Sequence, residues 1–269
     1  MFSVVRIRPS SLVTESLYCA GGYEPPLQWM GKNLPVNSNL PLRCVKPINT
    51  KTEECSMEEK VTAIIDILKQ RYPDAVCALH YDKDYELMIS VRLSAQCTDA
   101  RVNQVTPALF AAYPTLEAMA GADIGDVENY VRSCGFYKHK ARDIVLACQM
   151  LLSDFGGKVP GTMEELLRLP GVGRKTANLL LGDIYKLPGS VVCDTHCIRI
   201  CGRLGLSTGK EPEKVEQQLR KILPPEESSD FCHRIVLFGR DVCTARNPRC
   251  ADCPLTMHCT QFVPKESAT

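Results

Sequence analysis

The sequence lacks three features that would place it in a membrane, outside the cell or in a strongly charged class. It has no stretch near the ~20 uninterrupted apolar residues that a membrane-spanning helix needs. It has no secretory signal peptide at its start. Its net charge is only +1 over 269 residues, so no overall excess of one sign indicates a highly charged partner. We therefore expect a soluble protein with no membrane partner.

The amino-acid composition excludes further classes of protein. Apolar residues make up 45% and charged residues 23%, which excludes wholesale disorder and collagen-like architectures. Fifteen cysteines in a chain without a secretory signal favour a metal or cluster site over a disulfide framework. The near-neutral total also conceals a net charge of −6 over residues 57–129 beside +5 over residues 130–203. The basic segment could face a polyanion.

The first 56 residues differ from the rest of the chain. They contain Gly21-Gly22, Pro25-Pro26 and several further turn-formers, and they lack sustained helical periodicity. We expect a disordered N-terminal extension over 1–56, or alternatively a natural start at Met57. Arg6 and Arg8 weakly suggest an organelle transit peptide, but Glu15 and the poor amphipathicity argue against targeting.

From Met57 onward the spacing of apolar residues is that of helices. Val61, Ile64, Ile65 and Leu68 share one face of the first helix. Asp84 is positioned to cap a second helix that runs through Leu87, Met88, Val91 and Ala95. Further helices are expected over 126–134, 138–154, 163–168 and 174–185, and from near Thr195, Pro212 and Asp230. Clusters of β-branched residues are too short for a sheet, so the predicted fold class is all-α with short loops.

Four cysteines fall within seventeen residues near the C-terminus, with the spacing Cys243-x6-Cys250-x2-Cys253-x5-Cys259. Thiolates this close together can surround one compact metal centre. A four-cysteine zinc site is one interpretation. The spacing is asymmetric, with one Cys-x2-Cys pair instead of two, and this favours a [4Fe–4S] cluster. Arg246 and Arg249 lie in the loop between the first two cysteines, where they could meet phosphates.

A tight Gly-x-Gly hairpin joins two of the predicted helices at Leu169–Thr176. Gly171 and Gly173 permit close backbone approach, and the following helix offers free N–H groups and a positive dipole end to a phosphate. Lys175 lies in the first turn of that helix beside Arg174. The dipole and the adjacent cation both disfavour a protonated amine, which indicates a usable nucleophile. A plain helix–helix turn with a surface lysine is the alternative.

A second helix start carries a carboxylate at Asp194, within Val192-Cys193-Asp194-Thr195-His196. Aspartate is a preferred N-cap, so capping alone explains its presence. A carboxylate held there can also stabilise positive charge that develops at a sugar C1′. His196 could bond to backbone or phosphate, and no further chemistry is assigned to it.

Together these segments resemble a known family. Leu169–Asn178, Asp194–His196 and the cysteine spacing, preceded by Ser94–Asp99, match endonuclease III in order and separation. That family comprises bifunctional DNA glycosylases and abasic-site lyases of the helix-hairpin-helix superfamily. The resemblance covers residues 58 to about 262. One extra residue between Lys175 and Asp194 departs from the bacterial pattern, and it falls in the loop 186–190.

The resemblance implies a two-lobed architecture. Residues 77–188 would form a six-helix domain with the hairpin, and 58–76 would join 189–263 in a cluster domain. DNA would occupy the cleft between the two. The partner would be double-stranded DNA with oxidised pyrimidine or abasic lesions, bound by a monomer. A cytoplasmic, nucleoid-associated bacterial location follows from the same likeness.

The family roles transfer residue by residue. Lys175 would attack C1′, expel the base and form a Schiff base, after which β-elimination cuts the strand. Asp194 would be the essential carboxylate, and Cys243, Cys250, Cys253 and Cys259 would hold the [4Fe–4S] cluster. Gln96 would fill the space left by the flipped nucleotide, and Phe136 would wedge against the orphan base. The full set expected to contact DNA is Gln96, Phe136, Gly171, Gly173, Arg174, His196, Arg246 and Arg249.

Two other functions fit parts of the sequence. An adenine-mismatch glycosylase would share the fold and the cluster, but that branch lacks the lysine and adds a C-terminal recognition domain. A non-catalytic iron–sulfur protein that binds DNA or transfers electrons would require Lys175 and Asp194 to be incidental.

Overall fold

The protein is helical throughout the part that the structure, a computed structural model, describes, which is residues 56–262. Eleven α-helices and no strand occur within those residues, so the all-α prediction is confirmed there. The helices are α1 (Met57–Arg71), α2 (Asp84–Ser94), α3 (Asp99–Ala112), α4 (Leu116–Ala120), α5 (Ile124–Val131), α6 (Tyr137–Asp154), α7 (Met163–Leu166), α8 (Arg174–Asp183), α9 (Thr195–Arg203), α10 (Pro212–Ile222) and α11 (Ser228–Asp241). None of the helices in that range is long and apolar enough to cross a membrane. The predictions for residues 1–55 lie outside the described residues.

Several helix boundaries differ from the sequence prediction. Asp84 is the first residue of α2 and not its cap. The carboxylate of Glu86 accepts from the backbone N–H groups of Asp82 at 2.9 Å and Lys83 at 3.2 Å, so it satisfies the amides that enter the helix. The segment 126–134 begins earlier, at Ile124, because Asp123 caps α5 through the backbone N–H of Asp126 at 3.1 Å.

Other boundaries shift by two residues. Helix α7 ends at 166 instead of 168, α8 ends at 183 instead of 185, and α11 begins at 228 instead of 230. Helices α3 and α4 were absent from the sequence prediction. Between residues 77 and 188 the structure has seven α-helices, of which α4 and α7 contain only five and four residues. The predicted domain boundaries themselves remain a prediction.

Two separate hydrophobic cores organise these helices. The first core contains buried residues between Leu79 and Leu181, and we name the helices around it, α2–α8, lobe 1. The second core joins residues 61–68 of α1 to residues 191–255, and we name α1, α9–α11 and the cysteine segment lobe 2. Within residues 56–262 the chain therefore begins in lobe 2, forms lobe 1 and returns to lobe 2. Burial of a side chain such as Leu68 or Leu219 contributes about 1.5–3 kcal/mol each.

Ionic contacts join the two lobes. The Arg174 guanidinium at the start of α8 donates to both carboxylate oxygens of Glu216 in α10, at 2.7 and 2.9 Å. Glu216 is buried, and its carboxylate also pairs with Arg220 at 3.1 Å. His233 of α11 lies 2.8 Å from Asp183 at the end of α8. These contacts fix the N-terminus and the C-terminus of α8 against lobe 2.

We expect Glu216→Gln to lower the free energy of unfolding by about 1–3 kcal/mol, because two arginines lose a buried charged acceptor. Urea denaturation followed by circular dichroism measures this change. Glu211→Gln is the matched control, since its pair with Lys214 is exposed on the same helix and contributes little. Equal stability of the two variants would contradict the assignment of Glu216 as a lobe junction.

Candidate active site and cluster centre

Lys175 is the second residue of α8, immediately after the hairpin, and its side chain is exposed. Gly173 is the N-cap of α8 and has no side chain to accept from the first amides. The free N–H groups of that turn therefore face outward beside the Lys175 amine. The hairpin predicted from the sequence is present, and it presents an amine and an anion-binding helix end together.

The structure requires glycine at only one of the two hairpin positions. Gly171 has φ of 76°, and a Cβ there would lie 2.4 Å from Nε of Arg92. That arginine is held by Asp143 through bonds of 2.8 and 2.6 Å, so it cannot easily retreat. Gly173 has φ of −101°, which any residue can adopt, and a Cβ there would meet nothing. Gly171 thus permits the expected close approach, whereas the protein itself leaves open space at Gly173.

Asp194 is the N-cap of α9, and its Oδ1 accepts from the backbone N–H of Cys197 at 2.7 Å. The capping interpretation of Asp194 is therefore correct. It does not exclude a chemical role, because the same carboxylate also lines a cavity.

That cavity of about 220 Å³ brings Lys175 and Asp194 together. Its walls come from lobe 1 at residues 76–79, 94–99 and 175–179, and from lobe 2 at residues 192–196 and 232–240. Asp99 and Arg240 form an ion pair of 2.6 Å across the two lobes and also line it. The cavity thus lies at the lobe junction and holds an amine, two carboxylates and a guanidinium.

His196 lines the same cavity and is partly buried. Burial lowers the pKa of His196, and the charges of Arg199, Arg240 and Lys175 lower it further, against the opposing effect of Asp194. Its imidazole is therefore neutral at pH 7, and its Nδ1 lies 3.2 Å from the Arg199 guanidinium. A neutral ring there can exchange a hydrogen bond but does not add a cation for phosphate.

Arg174 occupies a different position from the one that the sequence suggested. Its guanidinium is bound to Glu216, and that hydrogen bond raises the pKa of Arg174. The cation expected beside Lys175 is therefore paired with a carboxylate of lobe 2. A DNA contact by Arg174 remains a prediction and would have to coexist with this pair.

Gln96 and Phe136 lie in two loops of lobe 1 and share an unusual backbone. Gln96 has φ of 54° and Phe136 has φ of 47°, both in the left-handed region. That conformation costs about 1–2 kcal/mol in a residue other than glycine. Phe136 is also 65% exposed, which is high for an aromatic side chain. Both side chains are thus held on the surface at an energetic cost.

The four predicted cysteines line one cavity of about 150 Å³ in lobe 2. All four are free thiols, not disulfides. The segment follows α11, and the 3-10 turns Cys250–Asp252 and Thr256–His258 shape it. Leu255 anchors it in the second core. Arg203 at the end of α9 donates to Sγ of Cys243 at 3.2 Å and to the carbonyl of Thr244 at 2.8 Å.

The four thiols fit an iron–sulfur cluster. They are free and line one common cavity. Thiolates are the ligands that hold such clusters, and a four-iron cluster is larger than a single ion and holds its thiolates further apart around a common space. The residues present therefore suit a [4Fe–4S] group.

The two arginines between the first two cysteines differ in their surroundings. Arg246 is exposed. The Arg249 guanidinium donates to the carboxylate and the carbonyl of Asp241 at the end of α11. Arg249 would have to exchange this partner for a phosphate, whereas Arg246 is more accessible.

Comparison with known proteins agrees with this geometry. Residues 89–225 match the family model of the HhH-GPD superfamily of base excision DNA repair proteins. Residues 243–259 match the iron–sulfur binding domain of endonuclease III. Fold and site together define a helix-hairpin-helix protein of base excision DNA repair that carries an iron–sulfur cluster.

The individual proteins that this chain resembles belong to one family. Endonuclease III of Synechocystis sp. is 44% identical over 204 residues, which cover 76% of this chain and 93% of that protein. Endonuclease III of Escherichia coli K12 is 39% identical over 190 residues, which cover 71% and 90%. A solved structure of a trapped endonuclease III–DNA covalent intermediate superposes with a TM-score of 0.71 at 41% identity, covering 76% of this chain and 95% of that one.

The chain therefore belongs to the endonuclease III family, whose members are bifunctional DNA glycosylases and abasic-site lyases. Its cofactor is a [4Fe–4S] cluster. The fold, the enzyme class and the cofactor expected from the sequence are confirmed. The roles of individual residues remain predictions.

Sequence reasoning missed two contacts of the site. Asp99 stands in the Ser94–Asp99 segment, but nothing in the sequence pairs it with Arg240, 141 positions later. Arg203 lies forty residues before Cys243, and its bond to that sulfur depends on how α9 packs against α11. Long-range pairs of this kind have no local sequence signal.

We expect Cys253→Ala to remove the iron, about four atoms per chain in the unaltered protein, and the visible absorbance of the cluster. Loss of the cluster should also speed trypsin cleavage at Arg246 and Arg249, because mainly Leu255 and Arg203 would then hold the segment in a fixed conformation. Iron analysis, absorbance and limited proteolysis measure these effects. Cys148→Ala, a buried cysteine of lobe 1, is the control and should keep the iron. Stoichiometric zinc in the unaltered protein would contradict the assignment.

Proposed function

We propose that this enzyme removes oxidised pyrimidines from double-stranded DNA and cuts the resulting abasic strand, with Lys175 and Asp194 as its reactive residues. The observation that carries the proposal is that both side chains line one cavity at the lobe junction. The cavity of about 220 Å³ is smaller than the ~300–1,000 Å³ of drug-sized sites, which suits a single flipped base.

The amine of Lys175 attacks C1′ of the flipped nucleotide, and the bond to the base breaks as the new C–N bond forms. The amine then loses a proton, the C1′–O4′ bond breaks and O4′ takes up a proton, so that the opened sugar is joined to the amine at C1′ as a Schiff base. Removal of a C2′ proton then breaks the bond to the 3′ oxygen and cuts the strand. The iron–sulfur group supplies a rigid centre for the segment 243–259 when it is bound.

The carboxylate of Asp194 stabilises the positive charge that develops at C1′ when the base leaves. Its Oδ1 is fixed by the backbone N–H of Cys197, so the carboxylate needs little reorientation during the reaction. Asp194 and Lys175 belong to different lobes, which supports a reaction in the cleft between them.

Access to C1′ requires the nucleotide to leave the base stack, at an unstacking cost of a few kcal/mol. The exposed Gln96 and Phe136 side chains are suited to replace it in the stack. Phe136 presents an apolar ring as a wedge, and Gln96 presents an amide that can fill the vacated space.

The backbone holds the DNA at several points. Amides of Gly171 and Gly173 at the start of α8 bind one phosphate, and Arg246 binds another on the opposite lobe. His196, Arg174 and Arg249 are secondary contacts, because each already has a protein partner. We further propose that the protein acts as a monomer and, in a bacterium, at the nucleoid.

The two alternative functions are weaker. An adenine-mismatch glycosylase would not need an amine in this cavity, whereas Lys175 lines it. A non-catalytic DNA-binding protein would not need an amine and a carboxylate from separate lobes at one point.

We expect Lys175→Ala to abolish strand cleavage and covalent trapping on abasic DNA under borohydride, because the variant has no amine at C1′. Binding to a lesion duplex should fall less than threefold, since the hairpin amides remain. Gel analysis of trapped complexes and fluorescence anisotropy measure both properties. Lys214→Ala, an exposed lysine of α10, is the control and should trap normally. Persistent trapping by the Lys175 variant would mean that another amine is the nucleophile.

We expect Asp194→Asn to slow base excision about 10²–10³-fold through loss of charge stabilisation. Its melting temperature should hardly change, because asparagine caps helices about as well as aspartate. Single-turnover kinetics and thermal denaturation separate the two effects. Asp123→Asn alters an equivalent cap on α5, outside the cavity, and should leave excision unchanged. Normal excision by the Asp194 variant would reduce that residue to a cap.

A further inference from the structure

One buried cation connects the two loops of lobe 1 that contain Gln96 and Phe136, the residues with left-handed backbone angles. Lys140 lies in the first turn of α6, and its side chain is 1% exposed. Its Nζ donates to the carbonyl of Leu93 at 2.8 Å and to the carbonyl of Cys134 at 2.6 Å. Leu93 precedes Gln96 by three residues, and Cys134 precedes Phe136 by two. Lys140 therefore bonds to the backbone just before each of these two loops.

Both carbonyl oxygens lie where they need a hydrogen-bond donor from another part of the chain. Leu93 is in the last turn of α2, where carbonyls have no partner within the helix and where the dipole favours a cation. Cys134 ends a 3-10 turn that leads directly into Gly135 and Phe136. The backbone N–H of Lys140 also donates to the carbonyl of Phe136 at 3.1 Å. Lys140 thus forms hydrogen bonds with the carbonyls of Cys134 and Phe136 and also with the last turn of α2.

Core stability does not require a lysine at this place. In the described part of the chain no carboxylate forms an ion pair with the Lys140 Nζ. Burial lowers the pKa of Lys140, and the charge of Arg92 acts in the same direction. A buried ammonium carries a desolvation cost that an apolar side chain of similar length would avoid. What the lysine alone can do is tie the two backbone segments to a common point.

We propose that Lys140 is a positioning residue that holds Gln96 and Phe136 at a fixed separation, so that both enter the DNA stack together. The proposal rests on the function proposed above, in which these two side chains replace the flipped nucleotide. Two of the three left-handed residues other than glycine in residues 56–262 are the ones that Lys140 connects. With the tie removed, each loop can relax toward ordinary backbone angles, and insertion no longer occurs in one step.

The test compares Lys140→Met with Ile144→Val, a buried change one turn further along α6. We expect Lys140→Met to slow single-turnover excision of an oxidised pyrimidine at least about tenfold, equivalent to about 1.4 kcal/mol of the barrier. Cleavage at a preformed abasic site should fall less than about threefold, because no base has to be unstacked there. The fluorescence rise of a 2-aminopurine placed opposite the lesion should be largely lost. Ile144→Val should change each quantity less than about twofold.

Phe136→Ala separates a failure of this proposal from a failure of the proposed function. If Phe136→Ala keeps the full fluorescence rise, the DNA role of that residue is wrong. If it loses the rise and Lys140→Met keeps it, the positioning role of Lys140 is wrong. Equal loss of excision and abasic cleavage in Lys140→Met would indicate a merely structural role and would also overturn it.

A triple variant and a second substitution at Lys140 complete the design. Adding Lys140→Met to a protein that already carries Gln96→Ala and Phe136→Ala should cause no further loss of excision, because nothing remains to position. A further tenfold loss would contradict the proposal. Lys140→Gln retains one amide donor, so it should show an intermediate loss, and it replaces the methionine variant if that variant does not fold.

Discussion

The chemistry proposed for this enzyme depends on holding two helix N-termini, one from each lobe, against a common cavity. Lys175 lies in the first turn of α8 in lobe 1, and Asp194 caps α9 in lobe 2. Neither lobe contains both groups, so the relative position of the lobes determines whether the amine and the carboxylate meet. Glu216 and the Asp183–His233 pair fix the two ends of α8 to lobe 2. The lobe junction is therefore part of the proposed active site.

The cluster segment contributes to the same constraint through α9. Asp194 lies at the start of this helix and Arg203 is its last residue, a distance of about 13 Å along nine residues. Arg203 bonds to Sγ of Cys243 and to the next carbonyl, and its own carbonyl accepts from Thr260 at 3.0 Å. One end of the helix thus contacts the cluster ligands while the other end positions the carboxylate. If Asp194 acts as proposed, this connection gives the cluster segment a structural part in placing that carboxylate.

Local patterns accounted for much of the fold and the site. Helical periodicity predicted the all-α class, and close cysteine spacing predicted the cluster, since both depend on neighbours in the chain. The start of α2 differs by one residue, because Asp84 is already helical and Glu86 binds the N–H groups of the two residues before it. The partner of Arg174 could not be predicted, because Glu216 lies 42 positions away and reaches it only when the lobes assemble.

The pairing of arginines changes how the charge of the sequence is understood. Residues 130–203 carry a net charge of +5, which suggested a surface facing DNA. In the structure Arg174 is neutralised by Glu216, while Arg203 donates to carbonyls and to a cysteine sulfur. Lys140 is buried between two carbonyls. Part of the positive charge therefore stabilises the protein internally, and we expect contact with DNA to depend more on backbone amides at α8 and on a few exposed side chains than the net charge implies.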